Sequence, residues 1–76
     1  MRPEEVVSCS ENVMSGVPVF TGTRVPVESL IAHLRAGDRL EDFLEGYPTV
    51  SREQAISFLD MALRAVVEGR LHARAA

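Results

Sequence analysis

The polar side chains best suited to chemistry cluster at the predicted start of a long helix, in the segment Ser51-Arg52-Glu53-Gln54. A hydroxyl, a guanidinium and an amide at a helix N-terminus are groups that read base edges in helix-turn-helix proteins. Ser51, Arg52 and Gln54 are therefore candidate nucleic-acid contacts. The same segment also forms a capping box, in which Ser51 and Gln54 satisfy backbone groups of the first turn. The sequence leaves both uses open and favours the capping role.

Catalytic and metal-binding patterns are not recognisable in the chain. The residues that could ligate zinc form no close-spaced pair. They are Cys9, His33 and His72. Three neighbouring carboxylates fall in a short predicted helix, where they read as first-turn and solvated charges. They are Glu41, Asp42 and Glu45. The segment Gly22-Thr23-Arg24 is too short to cradle a phosphate. We therefore expect a protein that is not an enzyme and takes no metal or cofactor.

Composition bounds the class of protein further. The 76 residues carry eight Arg, no Lys and eleven acids, for a net charge of −3, which argues mildly against a strong grip on nucleic acid. A hydrophobic content of 46% suits one small globular domain. The single cysteine permits no internal disulfide, and the first residues lack the apolar segment of a signal peptide. These features predict a soluble, cytoplasmic protein.

Helix signals and short β-prone runs predict a mainly α fold, with a short N-terminal β-hairpin flap and a three-helix helix-turn-helix core. In a single domain, 1–76, the flap covers residues 6–27, the core 27–69 and a basic tail 70–76. Helices are predicted at 27–36, 39–45 and 52–68, the second opened by an Asp38–Glu41 capping box and the third by the Ser51–Gln54 box. The spacing of the last two helices is typical of a helix-turn-helix, although an ordinary three-helix bundle has the same pattern.

The third helix is apolar over roughly 200° of its circumference, about twice the usual stripe. One apolar face is predicted to face the domain core: Ile56, Leu59, Leu63, Val66 and Val67. A second face is predicted to be an association surface: Phe58, Met61, Ala62 and Ala65. Two short helices and a flap hardly cover both faces, so we expect a homodimer, a higher oligomer or another partner. The alternative is that the flap wraps round and covers the second face.

The run from Val13 to Val27 contains the elements Gly16-Val17-Pro18 and Gly22-Thr23-Arg24-Val25. It closely resembles the opening signature of the domain-of-unknown-function 433 (DUF433) family, approximately G-x-P-x-[I/V]-x-G-T-R-[I/V]-x-V. The resemblance continues through Gly37, Tyr47-Pro48 and the capping box at Ser51, and covers nearly the whole chain.

This resemblance implies a homeodomain-like helix-turn-helix core and an antitoxin-like role. Many members of the family look like antitoxins encoded beside PIN-like ribonuclease toxins, which they are inferred to neutralise, with repression of their own operon as a second inferred role. The chain departs from the family pattern at Ser10-Glu11, Ser15, Val17 and Thr21. Val17 and Thr21 stand where basic residues are common in the family, and the absence of those basic residues weakens any DNA contact by the flap.

Two functional hypotheses follow. In the first, the chain neutralises a nearby-encoded PIN-like toxin, and Arg70 and Arg74 of the tail reach the acidic cluster that holds the toxin's divalent metal. In the second, it is a stand-alone dimeric DNA-binding regulator that contacts its operator. Arg24 fits either a structural fork to a carboxylate or a functional contact. No membrane partner is expected.

Overall fold

The computed structural model describes residues 1–69, and the predicted basic tail 70–76, with Arg70 and Arg74, lies outside the described residues. The elements follow one another in this order: helix α1 (Pro3–Val6), strand β1 (Val7–Ser8), a 3-10 turn (Met14–Gly16), strand β2 (Val19–Phe20), and helices α2 (Val27–Arg35), α3 (Leu40–Gly46) and α4 (Arg52–Val67). The predicted mainly α fold with a short N-terminal hairpin is confirmed. Among residues 1–69 no helix is long and apolar enough to cross a membrane.

The hairpin flap is held on both sides of β2. Antiparallel pairing joins Val7 to Phe20 and Ser8 to Val19. On its other side, the Phe20 N–H donates to the Val25 carbonyl oxygen at 2.9 Å. The tight turn between Phe20 and Val25 needs Gly22, whose φ is +81°. The Thr23 hydroxyl locks this turn, since it donates to the Phe20 carbonyl at 2.7 Å and accepts from the Val25 N–H at 3.0 Å.

Helix α1 is the element that the sequence analysis did not predict. Pro3 stands at the start of this single turn, where its missing N–H costs no hydrogen bond. The Glu5 carboxylate closes the turn by accepting from the Arg2 N–H at 2.7 Å. Helix α1 packs on α4 and buries Val6 almost completely. The flap therefore covers more of α4 than strands alone would.

The predicted capping box at Asp38 is wrong by one residue. Helix α3 begins after Arg39, whose N–H donates to the Asp42 carboxylate at 2.8 Å. Asp38 belongs instead to the C-terminal cap of α2: its N–H donates to the His33 carbonyl, while the Gly37 N–H donates to Leu34. This pair of bonds is a Schellman motif, and Gly37 supplies its left-handed residue with φ of +91°.

The hydrophobic core draws one buried side chain from each main element. These residues are Phe20 of β2, Leu30 of α2, Phe43 of α3, Val50 of the connector and Ala55 of α4. Phe20 lies at the centre, 6.1 Å from the Phe43 ring and 5.8 Å from the Phe58 ring between centroids. Both aromatic contacts are tilted or edge-on, the arrangements that aromatic quadrupoles favour.

Candidate protein-interaction surface

Two polar side chains at the start of α4 form hydrogen bonds that hold the fold together. The Ser51 hydroxyl accepts from the Gln54 N–H at 3.0 Å, and the Gln54 side-chain oxygen accepts from the Ser51 N–H at 3.2 Å. The Gln54 side-chain nitrogen donates to the carbonyls of Thr21 at 2.9 Å and Glu5 at 3.3 Å. Gln54 is 8% exposed, so its amide lies inside the domain. The predicted capping role of Ser51 and Gln54 is therefore observed, and it occupies the groups that base contact would need.

Arg52 remains on the surface at the same helix end. Its guanidinium contacts the Glu41 carboxylate of α3 at 3.3 Å, and both side chains are about half exposed. A solvated pair of this kind contributes at most about 1 kcal/mol, so Arg52 can leave it for another partner. The exposed charges of α3 and of the first turn of α4 are mostly acidic: Glu41, Asp42, Glu45 and Glu53 against Arg39 and Arg52. This edge of the domain carries a net negative charge, which disfavours a phosphate backbone.

One exposed side of α4, beside the face that packs on the core, is apolar. We call Ile56, Leu63, Val66 and Val67 the outer stripe; their side chains are 48%, 60%, 50% and 74% exposed. At 100° per residue, Ile56, Leu63 and Val67 lie within about 40° of one another on the helix circumference. In a helix-turn-helix protein this outward side enters the major groove. Aliphatic side chains there offer no hydrogen bonds to base edges, and they favour contact with another protein surface.

The two apolar faces of α4 are exchanged relative to the prediction from sequence, except at Leu59 and Ala62. Phe58, predicted to be open to a partner, is half-buried and packs edge-on against Phe20. Met61 and Ala65 are half-buried beside Pro3 of α1, whereas Ala62 is exposed. Helix α1 accounts for the reversal, because its packing turns this face of α4 inward. Of the face predicted to lie in the core, Leu59 does pack against it, and the other four residues are exposed as the outer stripe.

A shallow groove of about 430 Å³ runs between the chain's N-terminus and α4. Its lining is mixed in character: Met1, Pro3, Ser57, Asp60, Met61 and Arg64. Asp60 and Arg64 form an ion pair of 3.1 Å along the helix. The groove lies beside the outer stripe. Its lining contributes one negative charge, from Asp60, and one positive charge, from Arg64.

Arg24 lies at the tip of the hairpin turn and is exposed. Within residues 1–69 it makes no ion pair or side-chain hydrogen bond. The predicted structural fork from Arg24 to a carboxylate is therefore not formed inside the described part of the chain. The turn beneath it is rigid, since Thr23 fixes both ends, and the guanidinium projects from that turn into solvent.

A second polar cluster joins the end of α2 to the connector after α3. His33 Nδ1 lies 2.8 Å from an Asp38 carboxylate oxygen. The imidazole also lies edge-on to the rings of Phe43 and Tyr47, at 5.5 and 5.7 Å between centroids. These contacts pack His33 as a link between helices. Among residues 1–69, no three His, Cys, Asp or Glu side chains come together as a metal site.

The fold and this surface define a small helical protein with the element order of a helix-turn-helix and an apolar, outward-facing last helix. The chain belongs to the family described as "Protein of unknown function (DUF433)", whose model matches residues 7–62. It is similar to the uncharacterized protein y4eO of Sinorhizobium fredii (strain NBRC 101917 / NGR234), with 40% identity over 50 residues. That match covers 66% of this chain but 23% of the relative, so the chain spans less than a quarter of that protein's length. No solved structure matches the chain significantly.

The family match and the outer stripe overlap at one end only. The matched residues end at position 62, so Ile56 lies inside the match and Leu63, Val66 and Val67 follow it. Arg24, Ser51, Arg52 and Gln54 all lie inside. The family match therefore covers mainly the hairpin and helices that position the outer stripe, and only one residue of the stripe itself.

Proposed function

We propose that this chain is an antitoxin that binds and neutralises a PIN-like ribonuclease toxin, with the outer stripe of α4 as its main docking surface. The observation that carries the proposal is the exposure of Ile56, Leu63, Val66 and Val67 along α4. Their exposed fractions correspond to on the order of 400 Å² of apolar surface, in the range of the largest and often functional patch of a small protein.

Protein binding is favoured over DNA reading as the primary activity by the chemistry of the helix-turn-helix edge. Ser51 and Gln54 are occupied by capping and by the hairpin. Arg52 is left among exposed carboxylates, and the following outward positions are Ile56, Asp60 and Leu63. A surface with two arginines, Arg39 and Arg52, and four exposed acids gains little from counterion release, which supplies most of the affinity for DNA.

Arginine supplies the inhibitory contact in this proposal. A PIN-like nuclease holds its divalent metal with clustered carboxylates, and a guanidinium placed among them competes with the metal and blocks substrate. Arg24 is suited to this role because it is exposed, has no partner within residues 1–69 and stands on a rigid turn. Arg70 and Arg74 remain further candidates from the sequence. The proposed place of action is the cytoplasm.

Co-expression with the product of a neighbouring toxin gene tests the proposal. Growth rescue and co-purification are expected for the unaltered chain. Leu63→Glu places a charge in the outer stripe without disturbing the core, and it should abolish both. Val17→Glu is the matched control, because Val17 is an exposed apolar residue of the flap, 39% exposed. Rescue by Leu63→Glu equal to that by Val17→Glu would exclude the stripe as the docking surface.

Autorepression is a secondary function that the order of α3 and α4 supports, with Arg52 as the exposed cation at the reading end of the helix. Binding to the chain's own promoter, measured alone and with the toxin, tests it. A specific contact weakens steeply as salt rises and is lost in Arg52→Glu. Unchanged promoter binding by that variant would exclude α4 as the reading helix.

A further inference from the structure

Carboxylates border the outer stripe on both sides. At 100° per residue, Asp60 and Glu53 lie about 40° and 60° from Ile56 on one side of the helix circumference. Arg52 lies about 40° from Ile56 on the other side. Its contact with the Glu41 carboxylate at 3.3 Å brings the exposed side of α3 to that border. The apolar residues are therefore enclosed by acids from two helices.

The charge of these borders is not balanced within the domain. Glu45 follows Glu41 by four residues and lies on the same side of α3. Two of the bordering acids are paired, Glu41 with Arg52 and Asp60 with Arg64. Within residues 1–69, Glu45 and Glu53 make no ion pair or side-chain hydrogen bond. We define the acidic rim of the stripe as Glu41, Glu45, Glu53 and Asp60.

The wider surroundings of the stripe are negative as well. Between residues 39 and 64 the charged side chains are five carboxylates and three arginines, and all of them are exposed. A partner that faced the stripe with apolar groups alone would remove solvent from these carboxylates without pairing them, which costs affinity. The stripe consequently selects a surface that combines apolar groups with cations.

A ribonuclease has such a surface. It must attract the phosphate backbone of RNA, so arginine and lysine side chains surround its catalytic centre. We propose that the outer stripe and its acidic rim cover the basic RNA-binding surface of the toxin, an inference that rests on the proposed function. Neutralisation then includes direct competition with RNA, because the rim carboxylates take the cations that the phosphates need.

The acidic rim and Arg24 have opposite charges and therefore different targets on the toxin. The guanidinium of Arg24 suits the carboxylates that hold the metal, whereas the rim suits the cations around them. Charges at the border of an interface act mainly on the rate of association and are screened by salt. The contribution of the rim can thus be measured separately from that of Arg24.

Association kinetics of the full chain with the toxin, measured by stopped flow over a range of salt concentrations, test the contact. Glu45→Lys and Glu53→Lys should each associate at least about threefold more slowly than the unaltered chain at about 50 mM salt. At about 500 mM salt the difference should shrink to less than about twofold. Glu11→Lys is the control with the same change of charge, because Glu11 is exposed in the loop at the other end of the hairpin from the start of α4. It should associate nearly as fast as the unaltered chain.

Competition with RNA is measured with metal-free toxin, which binds a fluorescently labelled single-stranded RNA without cleaving it. The unaltered chain should displace the RNA, and Glu45→Lys and Glu53→Lys should require higher concentrations to do so. Circular dichroism of each variant separates weaker binding from loss of folding. Glu53→Gln is a milder variant that removes one charge without reversing it, and its effect should be intermediate.

The proposal is overturned if the toxin binds the chain and the RNA together. It is also overturned if Glu45→Lys and Glu53→Lys associate as fast as Glu11→Lys at low salt. In either case, growth rescue by the unaltered chain would keep the proposed function and remove only this contact. A chain that fails to bind the toxin at any salt concentration would remove both.

Discussion

The side-chain amide of Gln54 donates to the Thr21 carbonyl oxygen at 2.9 Å, and this bond ties the start of α4 to the hairpin turn. A second bond from the same nitrogen reaches the Glu5 carbonyl at the end of α1. One glutamine thus joins three segments that are distant in sequence. Its position also fixes the direction in which the rest of α4 projects, and hence the direction in which the outer stripe faces.

Replacement of Gln54 should destabilise the domain more than its polar character would indicate. Gln54→Ala leaves two part-buried carbonyls without their donor and removes the capping acceptor for the Ser51 N–H. Losing buried hydrogen bonds of this kind costs about 2–3 kcal/mol, which lowers the melting temperature of a domain this small by roughly 10 °C or more. Chemical denaturation measures the change. Arg52→Ala, two residues earlier in the same helical turn, is the control and should cost less than about 1 kcal/mol.

The 3-10 turn before β2 offers a site for stabilisation. Met14, Ser15 and Gly16 all have positive φ, with Ser15 at +56°. A left-handed conformation costs a residue with a side chain about 1 kcal/mol or more, and glycine adopts it without that cost. Ser15→Gly should therefore raise the free energy of unfolding by roughly 0.5–1 kcal/mol, after the entropy of the freer unfolded chain is subtracted.

Ser57→Gly is the control for Ser15→Gly and should lower the free energy of unfolding. Ser57 lies within α4, where glycine is less favourable than serine by about 0.5 kcal/mol. Thermal unfolding of the two variants should move in opposite directions. A destabilised Ser15→Gly would mean that strain in this turn is not what limits its stability.

Local signals in the sequence are sufficient to predict helices α2, α3 and α4 and the cap of α4. The Ser51–Gln54 box depends on residues three apart, and it forms as predicted. The Asp38 box was misplaced because two motifs compete for one residue: Gly37 draws Asp38 into the cap of α2, and Asp42 takes over at α3. Sequence spacing alone does not decide such a competition.

The orientation of α4 could not be read from its own sequence, because both of its faces are apolar. Phe58 is turned inward by Phe20, which lies 38 positions earlier in the chain, and Met61 by α1. Helix α1 itself has a weak signal, a Pro followed by two Glu, which is also common in irregular chain ends. The burial of Gln54 could not be predicted from the sequence of α4 either, because its hydrogen-bond partners are the carbonyls of Thr21 and Glu5, which are distant in sequence.

The exchanged faces of α4 predict opposite responses to two alanine substitutions. Phe58→Ala removes a ring packed against Phe20 and should cost about 2–3 kcal/mol of stability, somewhat less than for a fully buried phenylalanine. Leu63→Ala removes a side chain that is 60% exposed and should change stability by less than about 0.5 kcal/mol. Urea titration of both variants at low protein concentration measures this contrast. Similar losses in the two variants would contradict the described orientation of α4.

Arg24 should separate stability from function. Its guanidinium makes no ion pair or hydrogen bond within residues 1–69, so Arg24→Ala should leave the free energy of unfolding within about 0.5 kcal/mol of the original. If Arg24 enters the toxin's acidic cluster, the same substitution removes a charge-assisted contact and should weaken toxin binding by about 2 kcal/mol, or roughly thirtyfold. Arg24→Lys should recover part of that loss, since it keeps the charge but not the fork.

Arg35→Ala is the matched control, because Arg35 is another exposed arginine, at the end of α2. Isothermal titration calorimetry with the toxin gives the affinities, and ribonuclease assays give the inhibition. Equal affinities for Arg24→Ala and Arg35→Ala would remove Arg24 from the interface while leaving the outer stripe in place. A large loss of stability in Arg24→Ala would instead mean that the turn needs this side chain for folding, because the hydrogen bonds of Thr23 would then be insufficient to hold it.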